Sequence, residues 1–184
     1  MNEQLATVCA GLRERFPEHV SEPEEAFGEV SLRVARERIV DVCASLRDDE
    51  RFELLSDLSG VDFLGVAPSE DRFLVAYHVT SISRGLRLRL RAFVPDGDEH
   101  IATVTGVWDT ANLQEREVYD FFGITFDGHP DLRRILMPDD WDGHPHRKDY
   151  PLGGTKVEFK GALVPPPDLR RQPTTTTGYP GRLS

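Results

Sequence analysis

Two neighbouring stretches of the chain alternate between apolar and polar side chains, and this alternation constrains the fold more than any other feature. The first runs from Phe73 to Val79, and the second runs from Leu86 to Val94. Because successive side chains of a β-strand point to opposite faces, each stretch is predicted to form a strand with one buried face. The short connection that ends at Gly85 predicts an antiparallel hairpin between the two strands.

The second of these strands carries a row of basic side chains. Arg87, Arg89 and Arg91 alternate with leucines, so the three arginines are predicted to share one face of the sheet. Such a row is typical of a solvated sheet face, and it also suits a docking surface for an acidic partner. The sequence leaves both interpretations open.

Helical spacing of apolar residues predicts two amphipathic helices near the start of the chain. The first covers residues 3–16 and ends before Pro17. The second ends before the acidic residues 48–50 and places four apolar side chains on one face. Those four are Ile39, Val42, Cys43 and Leu46.

Further strands complete the predicted fold. Phe27 to Val34 has the alternation of a strand, and Ile101 to Trp108 is predicted to form another. Residues 52–61 are ambiguous, and their leucines favour a helical turn. The order of elements predicts an α+β fold in a single domain over residues 1–152, in which helices pack on a mixed or antiparallel sheet. An extended C-terminal tail, residues 153–184, is predicted to follow.

Composition excludes several classes of function. The net charge of −10 disfavours nucleic acid as the main partner, because phosphate binding rewards basic surfaces. No window approaches the roughly 18 to 20 apolar residues that cross a bilayer, and the first residues do not resemble a signal peptide. The cysteines, Cys9 and Cys43, lie in apolar helical patterns, which predicts core positions and a reducing compartment.

A third helix is predicted over residues 111–122, with Thr110 as N-cap and Gly123 just beyond its C-terminus. Steps of 100° separate two faces of this helix. The predicted core face contains Ala111, Val118, Phe121 and Phe122, and the predicted polar face contains Arg116, Glu117 and Asp120. Arg116 and Asp120 are four residues apart and could form an ion pair.

The carboxylates of this helix do not have the arrangement of a catalytic pair. Glu115 and Glu117 project in nearly opposite directions, and Arg116 would keep Glu117 and Asp120 ionised, which is unsuited to acid catalysis. Two other interpretations remain open. The charged face could be solvated, or it could form a partly buried ion network at a boundary between subunits.

A Gly-His-Pro triplet occurs twice after this helix, at residues 128–130 and 143–145. Proline restricts its own φ and that of the preceding residue, so each triplet is predicted to be a rigid turn. Three histidines with nearby aspartates also raise the hypothesis of a metal site, although the spacing of a helical zinc motif is absent. Those histidines are His129, His144 and His146.

The stretch from Glu115 to Leu152, called the signature below, resembles the C-type subunit (30 kDa-type subunit) of respiratory complex I, the proton-translocating NADH:quinone oxidoreductase. The resemblance rests on Glu115, Arg116, Glu117, Asp120, Phe121, Phe122, His129, Arg133, Ile135, Leu136, Trp141, Gly143, His144, Pro145, Arg147, Lys148, Asp149, Tyr150 and Pro151. These positions, with Gly128 and Pro130 but without Ile135, Leu136 and Gly143, are the predicted interface residues. No nucleotide-binding glycine motif is present in the chain.

The resemblance implies a structural role. It implies that the chain binds no cofactor and contacts subunits D, B and I, of which D forms the quinone site. FMN, iron-sulfur clusters and quinone would then belong to partner subunits, with the complex on the cytoplasmic face of the bacterial plasma membrane. The basic, proline-rich tail looks like the arm that runs along the quinone-site subunit. Two alternatives are the same module in a membrane-bound hydrogenase or ferredoxin-fed quinone reductase, and a metal-dependent hydrolase that uses the three histidines.

Overall fold

The computed structural model describes residues 2–66 and 71–151. Its elements in chain order are α1 (Glu3–Arg15), β1 (Glu24–Ala26), β2 (Glu29–Val34), a 3-10 turn (Arg36–Arg38), α2 (Ile39–Asp48), β3 (Leu54–Asp62), β4 (Phe73–Ser81), β5 (Leu86–Val94), β6 (His100–Ala102), α3 (Ala111–Phe122) and β7 (Thr125–Asp127).

A five-stranded mixed sheet forms the centre of the fold. Its strand order is β1-β2-β5-β4-β3, in which β2 and β5 are parallel and the other neighbours are antiparallel. A small second sheet pairs β6 with β7 in parallel. The predicted α+β fold with a mixed sheet is confirmed.

Helices α1 and α2 confirm the two predictions from helical spacing. Helix α1 begins at Asn2, whose side-chain oxygen accepts the backbone N–H of Gln4 and so caps the first turn. In α2, the four predicted apolar side chains have no exposed surface. Burial of each such side chain stabilises the fold by roughly 1.5–3 kcal/mol, so the packed face fixes the helix on the sheet.

Strands β4 and β5 confirm the predicted hairpin and its two faces. Their register runs from Phe73 opposite Val94 to Ser81 opposite Leu86. The leucines of β5 are buried, and its arginines are on the other face. Glutamates of the β1–β2 hairpin neutralise part of that row, because Arg89 pairs with Glu29 and Arg91 Nη2 is 2.6 Å from Glu24 Oε2.

The helical turn favoured for residues 52–61 is wrong, because this segment contains strand β3. Its register against β4 shifts between Leu55 and Asp57, which identifies a β-bulge at Ser56. The extra residue changes the alternation, so Leu55 and Leu58 are both buried although they are three positions apart. That three-residue spacing imitates a helix, and pairing with β4 overrides it.

Two other strand predictions need correction. Phe27 is not part of a strand but lies in the turn between β1 and β2, with a φ of 53° and a fully exposed side chain. The strand predicted from Ile101 to Trp108 ends at Ala102. The chain then turns, because the N–H groups of Val107 and Trp108 both donate to the Val104 carbonyl oxygen.

The described residues up to Pro151 group into one compact unit. The predicted tail over residues 153–184 lies outside the described residues. In the described part of the chain, no helix combines the length and the apolar character that a membrane span requires.

Candidate functional site

The signature begins on helix α3, whose predicted bounds are confirmed. Gly123 follows the helix with a φ of 73°, as expected for a glycine at this position. Thr110 does not act as the predicted N-cap, since its side chain makes no capping bond and its hydroxyl donates to the Leu55 carbonyl oxygen, at 3.4 Å. The helix therefore starts from a contact with the central sheet.

Asp120 does not lie on a solvent face, as predicted, but is fully buried. Its Oδ1 accepts Arg134 Nη1 at 2.7 Å, and its Oδ2 accepts three consecutive backbone N–H groups, of residues 135–137, at 2.8–3.1 Å. Burial alone would raise the pKa of this carboxyl, yet the backbone donors and Arg134 together lower it. The carboxylate thus organises the irregular segment that follows the helix.

That segment, residues 128–151, is called the strap below. Arg134 fixes its middle, because Nη2 donates to the carbonyl oxygens of Trp141 and Gly143 at 3.1 and 2.9 Å. His144 Nδ1 donates to the Asp120 carbonyl oxygen at 2.9 Å. The strap has no helix or strand after β7, so these bonds to side chains replace regular backbone pairing.

Arg116 does not pair with Asp120, as the helical spacing suggested. Its guanidinium donates to the carbonyl oxygens of Arg133 and Arg134, at 3.1 and 3.2 Å, and so holds the strap against α3. Asp120 receives Arg134 instead, because a buried carboxylate gains most from a cation that comes over it with the folded strap. Glu117 remains exposed on the same helix.

Glu115 is also fully buried, which separates it from exposed Glu117 and agrees with the predicted divergence of these two side chains. Its carboxylate accepts the hydroxyl of Thr103 and, at 2.7 Å, the backbone N–H of Val104. Burial raises its pKa to about 7, although both hydrogen bonds oppose that shift. Glu115 therefore stabilises the turn after β6.

The three histidines each make contacts within the chain. His129 Nε2 donates to the Asn112 carbonyl oxygen and Nδ1 accepts the N–H of Asp131, a pattern that requires the neutral ring. His146 stacks on Phe121, with 4.0 Å between ring centroids. Within residues 2–66 and 71–151, no group of three or more potential ligands is arranged to hold a metal ion.

Both Gly-His-Pro triplets contain a glycine with positive φ, 82° at Gly128 and 80° at Gly143. Gly143 also allows close packing, since a Cβ at this position would lie 2.8 Å from the Tyr150 ring. The Tyr150 hydroxyl donates to the Asp142 carbonyl oxygen at 3.2 Å. The second triplet is therefore a turn closed by Tyr150.

A buried ion pair that the sequence analysis did not identify anchors the end of the strap. Asp62, at the end of β3, accepts Arg72 Nη2 at 3.0 Å and the backbone N–H of Lys148 at 2.8 Å. Arg72 also pairs with Asp149 at 2.8 Å. Burial opposes ionisation of Asp62, but Arg72 and the backbone donors lower its pKa to about 2. Charged residues at both ends of an apolar strand pair were the available signal.

Arg147 connects the strap to the C-terminus of α3. Its Nε donates to the Phe122 carbonyl oxygen at 2.6 Å, and its guanidinium lies 5.0 Å from the centroid of the Phe73 ring. A Cβ on Gly123 would lie 2.8 Å from Arg147 Nη2 and 2.6 Å from the His144 ring. Gly123 therefore provides both the left-handed conformation and the space for this crossing.

The outer surface of this region is partly apolar. Leu113 on α3 is 58% exposed, and Leu136 on the strap is 59% exposed, beside half-exposed Ile135. The exposed charged side chains around them include Glu117 and Arg133. The predicted interface residues thus divide into an inner set that builds the strap and an outer set that is available for contact.

A comparison with protein-family models matches residues 32–156 to the family described as respiratory-chain NADH dehydrogenase, 30 kDa subunit. This range contains β2 to β7 and the whole strap.

Relatives of the chain have consistent names. A protein of Salinispora arenicola, named as the C-type subunit of NADH-quinone oxidoreductase, is 53% identical over 169 residues, which cover 89% of this chain and 68% of the relative. A protein of the same name from Acidothermus cellulolyticus is 50% identical over 172 residues, which cover 92% of this chain and 88% of the relative.

A solved structure has the same fold. It is described as Nqo5 in a trypsin-resistant fragment, residues 1–134, and it superposes with a TM-score of 0.63 at 35% sequence identity. The match covers 70% of this chain and 99% of the solved one. These similarities support the resemblance to the 30 kDa-type subunit over the hydrogenase-type and hydrolase alternatives.

Proposed function

Because the chain belongs to the family of the 30 kDa subunit of respiratory-chain NADH dehydrogenase, we propose that it holds the redox subunits of that enzyme in register. The chain is a subunit of an NADH-quinone oxidoreductase, complex I. Electron tunnelling slows steeply with distance, so a protein that fixes the spacing of redox centres contributes to turnover without chemistry of its own.

The buried position of Asp120 is the observation that carries this proposal. Its carboxylate uses four N–H donors from the strap, and its ionised form is favoured. A group bound in this way stabilises a shape and is poorly placed to exchange protons with a substrate. The charged residues of the signature therefore serve mainly to give an irregular segment one fixed outer surface.

We assign the docking face to the outer surface of α3 and the strap. Leu113, Ile135 and Leu136 supply exposed apolar area there, and Glu117 and Arg133 supply exposed charge. An apolar centre with a polar surround is the usual composition of a protein interface. The firm anchoring of the strap reduces the conformational entropy that docking would otherwise cost.

The proposed partners are subunits D, B and I of complex I, of which D forms the quinone site. In this arrangement FMN, the iron-sulfur clusters and quinone belong to the partners, and the chain binds none of them. The complex would place the chain at the cytoplasmic face of the bacterial plasma membrane. The support for this arrangement is membership of the family and the resemblance of the signature.

The segment from residue 153 to residue 184 is proposed to dock on the quinone-site subunit as a separate arm. Its basic residues are Lys156, Lys160, Arg170, Arg171 and Arg182, against the acidic residues Glu158 and Asp168. This excess of positive charge favours a partner surface that is acidic. Crosslinks from these lysines to the quinone-site subunit in the assembled enzyme would support the arm, and crosslinks confined to residues 1–152 of the same chain would contradict it.

The docking face is tested by Leu136→Glu in the full chain, expressed in cells that assemble the enzyme. A charge at this exposed position should leave the domain folded and should weaken docking by about tenfold or more, because a charge would be buried in an apolar contact. The measurement is the amount of the other NADH-quinone oxidoreductase subunits that co-purify with the tagged chain, by quantitative mass spectrometry.

Ile82→Glu is the matched control, because Ile82 is 67% exposed in the β4–β5 turn, outside the proposed face. It should co-purify as the unaltered chain does. Equal retention of all three forms would exclude the α3 and strap surface as the docking face. Failure of the unaltered chain to recover any of these subunits would contradict the scaffold function as a whole.

A further inference from the structure

The turn between β1 and β2 presents a phenylalanine directly to solvent. Phe27 is fully exposed, and it forms a two-residue turn with Gly28 between the paired residues Ala26 and Glu29. Both turn residues have positive φ, 53° and 80°. Two-residue turns with this backbone favour Asn-Gly, because asparagine tolerates positive φ and an aromatic side chain does not.

Phe27 therefore adds nothing to the stability of the isolated fold. Its backbone is in a region that costs free energy for a side chain with a Cβ, and its ring buries no surface in return. A residue that breaks a local rule without a compensating contact is expected at a functional position. The contact that compensates for it must come from outside the described chain.

The hairpin that carries Phe27 is held firmly on the sheet. Strand β2 pairs in parallel with β5 from Ser31 to Val34. The glutamates on either side of the turn, Glu24 and Glu29, form ion pairs with arginines of β5. The ring is thus presented at a defined position, and the neighbouring charges are already used within the chain.

We propose that Phe27 is an anchor residue that inserts into an apolar recess of a neighbouring polypeptide in the assembled enzyme. This inference rests on the proposed function, since it requires the chain to work within a complex. A rigid aromatic side chain that fills a pocket is the kind of residue that dominates the energy of an interface. The contact is separate from the α3 and strap surface and would secure the subunit at a second point.

Charge argues for this partner over two others. The hairpin is acidic, with Glu22, Glu24, Glu25 and Glu29 near the tip, which disfavours insertion into an anionic lipid surface. A second copy of the chain has the same net charge of −10 and would be repelled. The recess is therefore expected on a different polypeptide, lined by apolar side chains and with a neutral or basic rim.

Phe27→Asn tests the proposal because it removes the ring and suits the turn. The variant should melt at the same temperature as the unaltered chain or slightly higher. When both are co-expressed with distinguishable tags, the variant should be about 10- to 100-fold depleted in the purified enzyme, since one buried aromatic ring contributes that much to binding. Ile82→Asn, at the other exposed hairpin turn, should compete equally with the unaltered chain.

Equal incorporation of Phe27→Asn, while the unaltered chain enters the enzyme, would overturn the anchor and leave the proposed function intact. A photo-crosslinking residue at position 27 identifies the occupant. A crosslink to an apolar segment of another subunit is the expected result. A crosslink to lipid, to a second copy of this chain or to nothing would contradict the proposal.

Discussion

At the scale of single residues, burial separates charged groups that are neighbours in the sequence. Asp120 and Glu115 have no exposed surface, whereas Glu117 between them is exposed. The two buried carboxyls also differ in ionisation. The pKa of Asp120 is lowered by the N–H groups and the guanidinium around it, and the pKa of Glu115 is raised by burial to about 7.

Asp120→Asn should lower the free energy of unfolding by about 3 kcal/mol. The substitution leaves Arg134 mostly buried without its counter-charge and turns an amide donor toward other donors. Urea unfolding measures the difference. Glu117→Gln, an exposed change on the same helix, is the control and should remain within about 0.5 kcal/mol of the unaltered chain. An Asp120→Asn protein as stable as this control would contradict the role assigned to Asp120.

Glu115 predicts a pH dependence of stability. Its folded pKa of about 7 lies above the ordinary value of 4.5, so the folded state holds the proton more tightly than the unfolded chain. The stabilisation is complete below about pH 4.5 and is lost as pH rises to about 7. Relative to Glu115→Gln, which has no carboxyl to titrate, the unaltered chain should therefore lose about 2 kcal/mol between pH 5.5 and 8.

Urea unfolding of both proteins at the two pH values checks this prediction, because other titrating groups are common to both and cancel in the difference. A difference in stability that does not change with pH would show that Glu115 has the same pKa in the folded and unfolded states.

At the scale of elements, the strap is the part of the site that depends on contacts distant in sequence. Arg134 meets Asp120 across fourteen positions, and the N–H of Lys148 meets Asp62 across 86. The end of α3 sets the geometry of both contacts, because Gly123 turns the chain and leaves space for His144 and Arg147. The junction is thus fixed by one glycine.

Gly123→Ala should lower stability by about 2 to 3 kcal/mol, because the new Cβ meets the His144 ring and adopts a strained φ. Gly11→Ala is a matched control within α1, where a Cβ meets no atom within 4 Å. It should instead stabilise the protein by up to about 1 kcal/mol, since alanine favours a helix. Thermal unfolding distinguishes the two, and equal effects would contradict the close packing at Gly123.

The elements that could be predicted from the sequence are those set by local patterns. Helices α1, α2 and α3 and the β4–β5 hairpin follow from apolar spacing, and Gly123 follows from the end of a helix. The bulge in β3 defeats the same argument, because one extra residue gives strand leucines a helical spacing. The position of Phe27 is not predictable in this way, because the alternation continues through the turn that exposes it.

The site was predictable in its membership more than in its geometry. Helical spacing suggested a pair between Arg116 and Asp120, but the strap supplies Arg134 to the carboxylate and carbonyl oxygens to Arg116. Such partners are not visible from the helix alone. The pair of Asp62 and Arg72 was missed for the same reason, since only the folded sheet brings Lys148 and Asp149 to it.

At the scale of the whole molecule, the chain combines an α+β domain with a strap whose bonds are mainly internal. The inner residues of the signature give the strap its shape, and the outer residues are proposed to bind the partner subunits. The central claim is therefore that the signature acts through assembly of the enzyme. Arg116 is well suited to test it, because it touches only the strap carbonyl oxygens among the contacts described for its guanidinium.

The most direct test is Arg116→Ala in cells that assemble the enzyme, with both the amount of assembled enzyme and its NADH:quinone turnover measured. The proposed scaffold function predicts that assembly falls and that total activity falls with it, while turnover per assembled enzyme stays the same. Arg133→Ala, which removes an exposed guanidinium without releasing the strap, should have the smaller effect on assembly. Normal assembly with lost turnover would contradict the account and would assign Arg116 a direct catalytic role.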